Sequence, residues 1–234
     1  MAARCEGTQF EEAFIISERS WEDLFKDPDF HWEGPEDVVV RTAARWRRRG
    51  VELIHDLGCG AGRHMAFLQR EGFEVIGSDL APTGLAACAA SLEDADLPRA
   101  LVLADMSALP FADEVFDATI SINVLNHGHR ATLQRAADEI FRTLRPGGEA
   151  LLTVLNTRDW RCGSGEEPEP NTWLLGEGPE AGIAHHFFDE SDLRDWLAAF
   201  ALIDLQRVRA LQDRSTAPGD RRVFRDLWQV LVRR

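Results

Sequence analysis

Asp56, Asp79, Asp105 and His127 are the side chains around which chemistry can be organised, and each closes or follows an apolar run. Asp56 lies in Val51-Glu-Leu-Ile-His-Asp-Leu-Gly-Cys-Gly-Ala-Gly-Arg-His64. That stretch reads as a buried strand ending at Asp56, a turn carrying Gly58, Gly60 and Gly62, and a helix from near Arg63. A strand, a glycine turn and a helix in that order make a crevice for a nucleotide-like ligand. Glycines let a ligand lie against the backbone, and the helix start offers unpaired N–H groups and a partial positive charge. Asp79 closes the next strand, and its two oxygens suit the two hydroxyls of a ribose. Asp105, after the third strand, is placed to accept from an adenine amine with Met106 on the ring. A helix N-cap is its equal alternative.

Asp56 separates two classes of cofactor. A pyrophosphate would bring negative charge against it. S-adenosylmethionine carries no phosphate and presents an ammonium, which Asp56 can hold directly or through water. The Gly-x-Gly-x-Gly spacing also differs from the dinucleotide fingerprint, with Gln69 and Arg70 where the helix continues. Leu80, beside Asp79, and Asn123, at the end of the fourth strand, complete the expected cofactor contacts. His127 stands just past that strand and is the candidate general base. Its alternative is a residue that packs on the cofactor or orients the acceptor. His185 and His186 close a later irregular stretch and face either the site or a hinge. Trp21, Trp32, Trp160 and Trp173 are candidate walls for an aromatic or cationic acceptor, with core or lid packing as the simpler role.

The elements that must position these groups alternate in period. Strands are predicted over 51–56, 73–79, 100–104, 115–123 and 149–156, with helices over 63–71, 83–92 and 130–144. Apolar strands alternating with helices imply a parallel sheet covered on both faces. Ligands then bind at the carboxyl ends of the strands, where all four residues fall. Upstream, Glu36 to Arg49 reads as a helix with Val39, Val40, Ala43 and Trp46 inward and Gly50 as its cap. Residues 1–50 are read as a helical cap or lid segment ahead of a main domain over 51–234. Residues 158–186 are read as a long substrate-loop insertion, because glycine, proline and glutamate crowd them. A helix over 190–200 and a hairpin of strands over 201–210 and 223–232 close the chain.

Composition narrows the partners. The 234 residues are 44% apolar, and 26 basic against 40 acidic side chains leave a net charge of −14. That balance argues against broad binding to nucleic acid or anionic membrane, both of which need a positive surface. The run Arg45, Arg47, Arg48 and Arg49 reads as a helix end. Cys5, Cys59, Cys88 and Cys162 have no metal-ligand spacing, so no metal centre is expected and all four read as reduced thiols of a cytoplasmic protein. No signal-peptide core and no membrane-length apolar run is found.

Taken together, Asp56-Leu-Gly-Cys-Gly-Ala-Gly62, Gly77-Ser-Asp79, Ala104-Asp105, Leu109-Pro-Phe-Ala-Asp-Glu-Val-Phe-Asp117 and Ile140-Phe-Arg-Thr-Leu-Arg-Pro-Gly-Gly148 resemble the motifs of class I S-adenosylmethionine-dependent methyltransferases. The resemblance covers about Val51 to Asn156 in order. It implies a Rossmann-like, doubly wound α/β fold with a seven-stranded, mostly parallel sheet whose strand seven is antiparallel. It also implies cofactor roles for Asp56, the three glycines, Asp79, Asp105 and Met106. Ser121-Ile-Asn-Val-Leu-Asn-His127 lacks the proline pair with which DNA- and glutamine-methylating members follow strand four. The group acting on O or N atoms of small molecules is the most similar. Two other readings stay open: an S-adenosylmethionine-binding protein without catalysis, and a nicotinamide-dependent oxidoreductase, which Asp56 and the glycine spacing disfavour.

Overall fold

The computed structural model describes residues 20–27, 31, 34–212 and 223–234. Trp32, Cys5, Phe10 and Phe14 lie outside the described residues, as does Pro218-Gly219 between the closing strands. The elements are α1 (Trp21–Leu24), α2 (Asp37–Arg48), β1 (Leu53–Leu57), α3 (Arg63–Arg70), β2 (Glu74–Asp79), α4 (Pro82–Asp94), β3 (Leu101–Leu103) and β4 (Phe116–Ile122). They continue with α5 (Arg130–Thr143), β5 (Leu144–Leu155), β6 (Glu166–Glu169), β7 (Thr172–Leu174), β8 (Ala184–His186), α6 (Glu190–Trp196), β9 (Ala201–Gln212) and β10 (Val223–Arg233). Among the described residues no helix is long and apolar enough to cross a membrane.

Seven strands form one sheet in the order β3-β2-β1-β4-β5-β10-β9. β1 pairs in parallel with β2 and β4, β4 with β5, and β2 with β3, whereas β10 runs antiparallel to both β5 and β9. The predicted doubly wound sheet and closing hairpin are therefore present, with the last strand reversed and inserted between β5 and β9. Alternating side chains serve two cores. Ile54, Ala118, Ile120, Leu151 and Leu231 face α2, α3 and α4. Leu57, Ala150, Leu152, Val154, Trp228 and Val230 face α5 and α6. Strands buried on both sides carry few polar residues, which explains their continuous apolar runs.

α2 packs into the core of the sheet through Val38, Val39, Thr42, Ala43 and Trp46. Val40, predicted inward, is 40% exposed, while Val38 and Thr42 extend the buried stripe along its other edge. Trp46 is anchored at its Nε1 by Glu149, which also accepts from Arg45 and Arg233. α5 ends at Thr143, and the chain turns straight into β5 at Leu144, five residues before the predicted strand start at Glu149.

The stretch after β5 departs from its predicted irregular loop. β6, β7 and β8 form a second, three-stranded antiparallel sheet. Its glycines and glutamates sit in turns and at exposed edges, while Trp173, Phe187, Leu155 and Leu227 supply a small core of its own. Short strands of mixed composition have no clear period, so tertiary pairing decides them.

Candidate functional site

The glycine turn is held by the end of β2. The N–H groups of Gly58 and Cys59 donate to the Ser78 carbonyl at 2.8 and 3.0 Å. Gly58 and Gly62 both have left-handed backbones, with φ of 76° and 88°. A Cβ on Gly58 would lie 2.3 Å from a Val124 methyl, and one on Gly62 would lie 2.4 Å from Cys88 Sγ. These two glycines are thus required by packing of β4's end and α4 against the turn, a need distinct from ligand clearance. Gly62 also starts α3 without a side-chain cap of its own.

Asp79 is 9% exposed, and it binds the turn to β2. Its Oδ2 accepts from Gly60 N–H and its Oδ1 from Ala81 N–H, both at 2.9 Å. Each oxygen keeps a second lone pair for a ligand hydroxyl. Burial raises the Asp79 pKa, opposed by these backbone bonds. Asp56 is 1% exposed, and its Oδ2 has no partner among the described residues. Burial lifts its pKa to about 7 against the pull of Arg63, with the Asp79 charge adding to the rise. A buried carboxylate oxygen without a donor is a site for a ligand cation.

Asp105 is exposed and caps a tight turn, since its Oδ1 accepts from the N–H and hydroxyl of Ser107 at 2.7 and 2.8 Å. Its Oδ2 remains for a ligand. Met106 is partly buried against the α5 core and Leu80 is 58% exposed beside Asp79. Asn123 has φ of 61° and donates from Nδ2 to Glu36 Oε1 at 2.8 Å. Glu36 also accepts from Arg63 at 3.0 Å. It joins α2, α3 and the end of β4, a role the sequence pattern did not signal because it stands at a helix start with no motif.

The segment before α2 closes over the turn. Glu22 accepts from the backbone N–H of Thr83 at 2.9 Å and from its hydroxyl, pinning α1 to the first turn of α4. Phe25 then lies across Gly60 and Gly84, where Cβ atoms would approach its ring to 3.0 and 3.1 Å. Trp21 reaches further, to the His127 ring at 4.4 Å between centroids.

His127 meets the second sheet. It forms a backbone bridge with His185, and Gly128 N–H donates to the Ala184 carbonyl at 2.9 Å. The two imidazoles stand edge to face at 4.8 Å. Burial drives the His127 pKa well below its usual value, and the neighbouring charge of His185 pushes the same way. His127 is therefore a neutral imidazole at physiological pH. Glu180 Oε2 faces His185 Nε2 at 2.9 Å and Arg161 Nη1 at 3.3 Å. Burial would raise the Glu180 pKa, but the bond and charge of His185 hold it well below the usual carboxylate range. Glu180, Arg161 and Arg225 join this cluster without a sequence signal.

The strand alternation of β8 sends His186 to the opposite face. There its Nδ1 contacts Thr172 Oγ1 at 2.7 Å and its Nε2 contacts Asp192 at 2.6 Å, linking the small sheet to α6. His185 and His186, paired in the sequence reading, are thus separated. Trp160 is 38% exposed, with the Arg161 guanidinium 6.0 Å from its ring. Cys59, Cys88 and Cys162 are free thiols.

The site lies at the carboxyl ends of β1, β2, β3 and β4, with its acidic groups on successive strands. The methyltransferase-domain family matches residues 54–148, the stretch that holds Asp56, Asp79 and Asp105. Residues 54–148 are thus a methyltransferase domain, and the chain is similar to S-adenosylmethionine-dependent methyltransferases. It is 38% identical over 120 residues to a demethylmenaquinone methyltransferase of Thermus thermophilus, covering 46% of this chain and 53% of that protein. It is 33% identical over 103 residues to a tRNA (carboxymethyluridine(34)-5-O)-methyltransferase of Arabidopsis thaliana, covering 44% of this chain and 24% of that protein. The chain therefore spans about half, or less, of the length of these curated relatives. Its fold matches the Burkholderia thailandensis 1,6-didemethyltoxoflavin-N1-methyltransferase, solved with its substrate and S-adenosylhomocysteine, at a TM-score of 0.59 and 22% identity over 85% of this chain and 79% of that one. In this methyltransferase domain the second sheet and α1 lie outside the matched stretch.

Proposed function

We propose that the protein transfers a methyl group from S-adenosylmethionine to an O or N atom of a small-molecule acceptor. The observation that carries this reading is the buried, unpartnered Asp56 oxygen next to the glycine turn. It matches an ammonium and repels a pyrophosphate. Asp79 offers its remaining lone pairs to ribose hydroxyls, and Asp105 Oδ2 and Met106 suit an adenine. When bound, S-adenosylmethionine supplies a methyl on a sulfonium, a good leaving group for in-line displacement.

The chain's own residues then position and desolvate. Trp21 and Phe25 exclude water from above the turn, which favours the aligned approach of two reactants. His127, neutral, holds an imidazole nitrogen ready to take a proton from a hydroxyl or ammonium acceptor. The net charge of −14 supports a small acceptor over a nucleic acid, although several relatives are named for tRNA or rRNA.

Thermal shift tests the donor. S-adenosylmethionine and S-adenosylhomocysteine should raise Tm by mass action, and stabilisation by NAD alone would sink the reading. Affinity for S-adenosylmethionine should fall as pH drops below about 7, because Asp56 takes up a proton there and no longer matches the ammonium. Asp56→Asn should flatten that titration in isothermal calorimetry; an unchanged slope would detach Asp56 from the ammonium. His127→Ala should spare S-adenosylhomocysteine binding and slow turnover by about 10²–10⁴-fold. An undiminished rate would remove His127 from proton transfer.

A further inference from the structure

We infer that His127, His185 and Glu180 form a binding site for one divalent transition-metal ion of the zinc type, placed to hold the oxygen of the methyl acceptor. The inference rests on the methyltransferase reading and narrows its acceptor to a hydroxyl compound that can coordinate the ion.

The backbone brings the two histidines together. His127 and His185 are antiparallel bridge partners, and the Gly128 N–H donates to the Ala184 carbonyl at 2.9 Å. Partners across such a bridge project on the same face, and the two imidazoles stand 4.8 Å apart, edge to face. Glu180 enters from the turn before β8, with Oε2 2.9 Å from His185 Nε2. One ligand atom from each of the three lies within 4.8 Å of the others. An ion bonded at about 2.0–2.2 Å needs ligand atoms about 3–3.5 Å apart. The His185–Glu180 edge is already near that length, and a side-chain rotation of His127 completes the set. The ligands come from separate segments and include no cysteine, so no spacing along the chain announces them.

Outer contacts orient these groups as metal ligands are oriented. His185 Nδ1 lies 2.8 Å from the Ile183 carbonyl, which can only accept. Nδ1 therefore carries a proton whatever the charge of the ring, and Nε2 is the nitrogen that faces Glu180. A ring nitrogen and a carboxylate oxygen at 2.9 Å need a cation between them, either a proton or a metal ion. Arg161 Nη1, 3.3 Å from Glu180 Oε2, fixes the carboxylate. Its charge is answered by Asp159, 0% exposed at its side chain, which accepts from Arg161 Nε at 2.9 Å. The positive charges of Arg161 and Arg225 also act on His127 and set the affinity below that of a site built from anionic ligands alone.

Two imidazoles and one carboxylate suit zinc and its neighbours, whereas magnesium and calcium take oxygen ligands. Three protein ligands leave coordination positions open, as in a catalytic site. An acceptor hydroxyl bound there loses its proton to water. Its oxygen attacks the methyl carbon, the O–C bond forms as the C–S bond breaks, and sulfur keeps that electron pair. His127 gives its lone pair to the ion, so the ion acidifies the hydroxyl in place of the imidazole.

Calorimetry on the full chain, stripped with a chelator and loaded with S-adenosylhomocysteine, tests the site with zinc, cobalt and magnesium chlorides. Zinc and cobalt should bind at one ion per chain, and magnesium at least about 100-fold more weakly. Glu180→Gln and His185→Ala should each weaken zinc at least about tenfold. His185→Cys restores a zinc ligand and should recover binding. His129→Ala removes a half-exposed imidazole paired with Glu169 and should change nothing. Where a variant fails to fold, the wild type decides through its own Tm, which zinc should raise and equal magnesium should not. No zinc binding, equal affinity for zinc and magnesium, or wild-type zinc affinity in both Glu180→Gln and His185→Ala would overturn the proposal. Loss of zinc in His129→Ala would do so too, by moving the ion to the His129–Glu169 pair. If S-adenosylhomocysteine fails to bind the wild type, the methyltransferase reading falls, and the zinc titration without it still judges the site.

Discussion

Asp79→Ala is expected to abolish the rise in Tm that S-adenosylhomocysteine gives the wild type. Asp79 acts twice. Its oxygens accept from Gly60 and Ala81, which fixes the glycine turn to the end of β2, and their free lone pairs are the acceptors proposed for the ribose hydroxyls. Alanine removes the ligand's acceptors and releases the turn that carries the Asp56 side of the site. Two charge-assisted bonds and a loosened turn together amount to about 3–5 kcal/mol, a loss of more than about 100-fold in affinity. Asp79→Asn keeps one acceptor oxygen and should retain weak binding. Calorimetry on both variants checks this. An Asp79→Ala protein that binds as tightly as the wild type would show that the ribose lies elsewhere.

Glu149→Ala is expected to be the most destabilising single change away from the site. Glu149 is 2% exposed at its side chain, and three arginines converge on it: Arg45, Arg49 and Arg233, with Trp46 Nε1 as a fourth donor. It ties α2 to β5 and β10, so the N-terminal helix depends on it. The arginines are 35–42% exposed and stay solvated, but their shared acceptor and the buried acceptor of Trp46 Nε1 are lost, at about 2–3 kcal/mol. The pH dependence follows from the same geometry. Burial would raise the Glu149 pKa, but bonds from Arg45, Arg233 and Trp46 outweigh it and lower it to about 2 from 4.5. A depressed carboxylate stabilises the fold above its unfolded pKa and loses that contribution as pH falls. The window is about 4.5 down to about 2, and the full effect is about 3 kcal/mol. Urea unfolding at a series of pH values should show this limb in the wild type and a flatter one in Glu149→Gln. An identical acid limb in both proteins would assign the loss to other carboxylates.

The donor half of the site was legible in the sequence because it is local. Strand, turn and helix follow one another without a break from Val51 to Arg70, and each glycine sits where a left-handed backbone or close contact demands one. Asp79 and Asp105 each follow a short apolar run, so counting strands was enough to line them up. The closing hairpin was legible for the same reason. The second sheet was not. Glu166-Glu-Pro-Glu169 has no strand pattern of its own and is held by pairing with Thr172–Leu174, itself paired to β8. The direction of Val40 also escaped, because periodicity leaves the edge of a stripe open and only the facing core selects it.

By itself the sequence determined the fold class, the order of the acidic residues along the crevice and the kind of cofactor they suit. All of these depend on contacts within a few residues or on a repeating strand–helix period. Only the tertiary structure decided that Asp56 is buried with an unpaired oxygen, that His185 and His186 face opposite ways, and that His127 meets His185 across the second sheet. Burial and charge balance are sums over neighbours brought in from distant segments, here α1, the second sheet and β10. No spacing along the chain encodes such a sum, so the acceptor side of the site emerged only when those segments met.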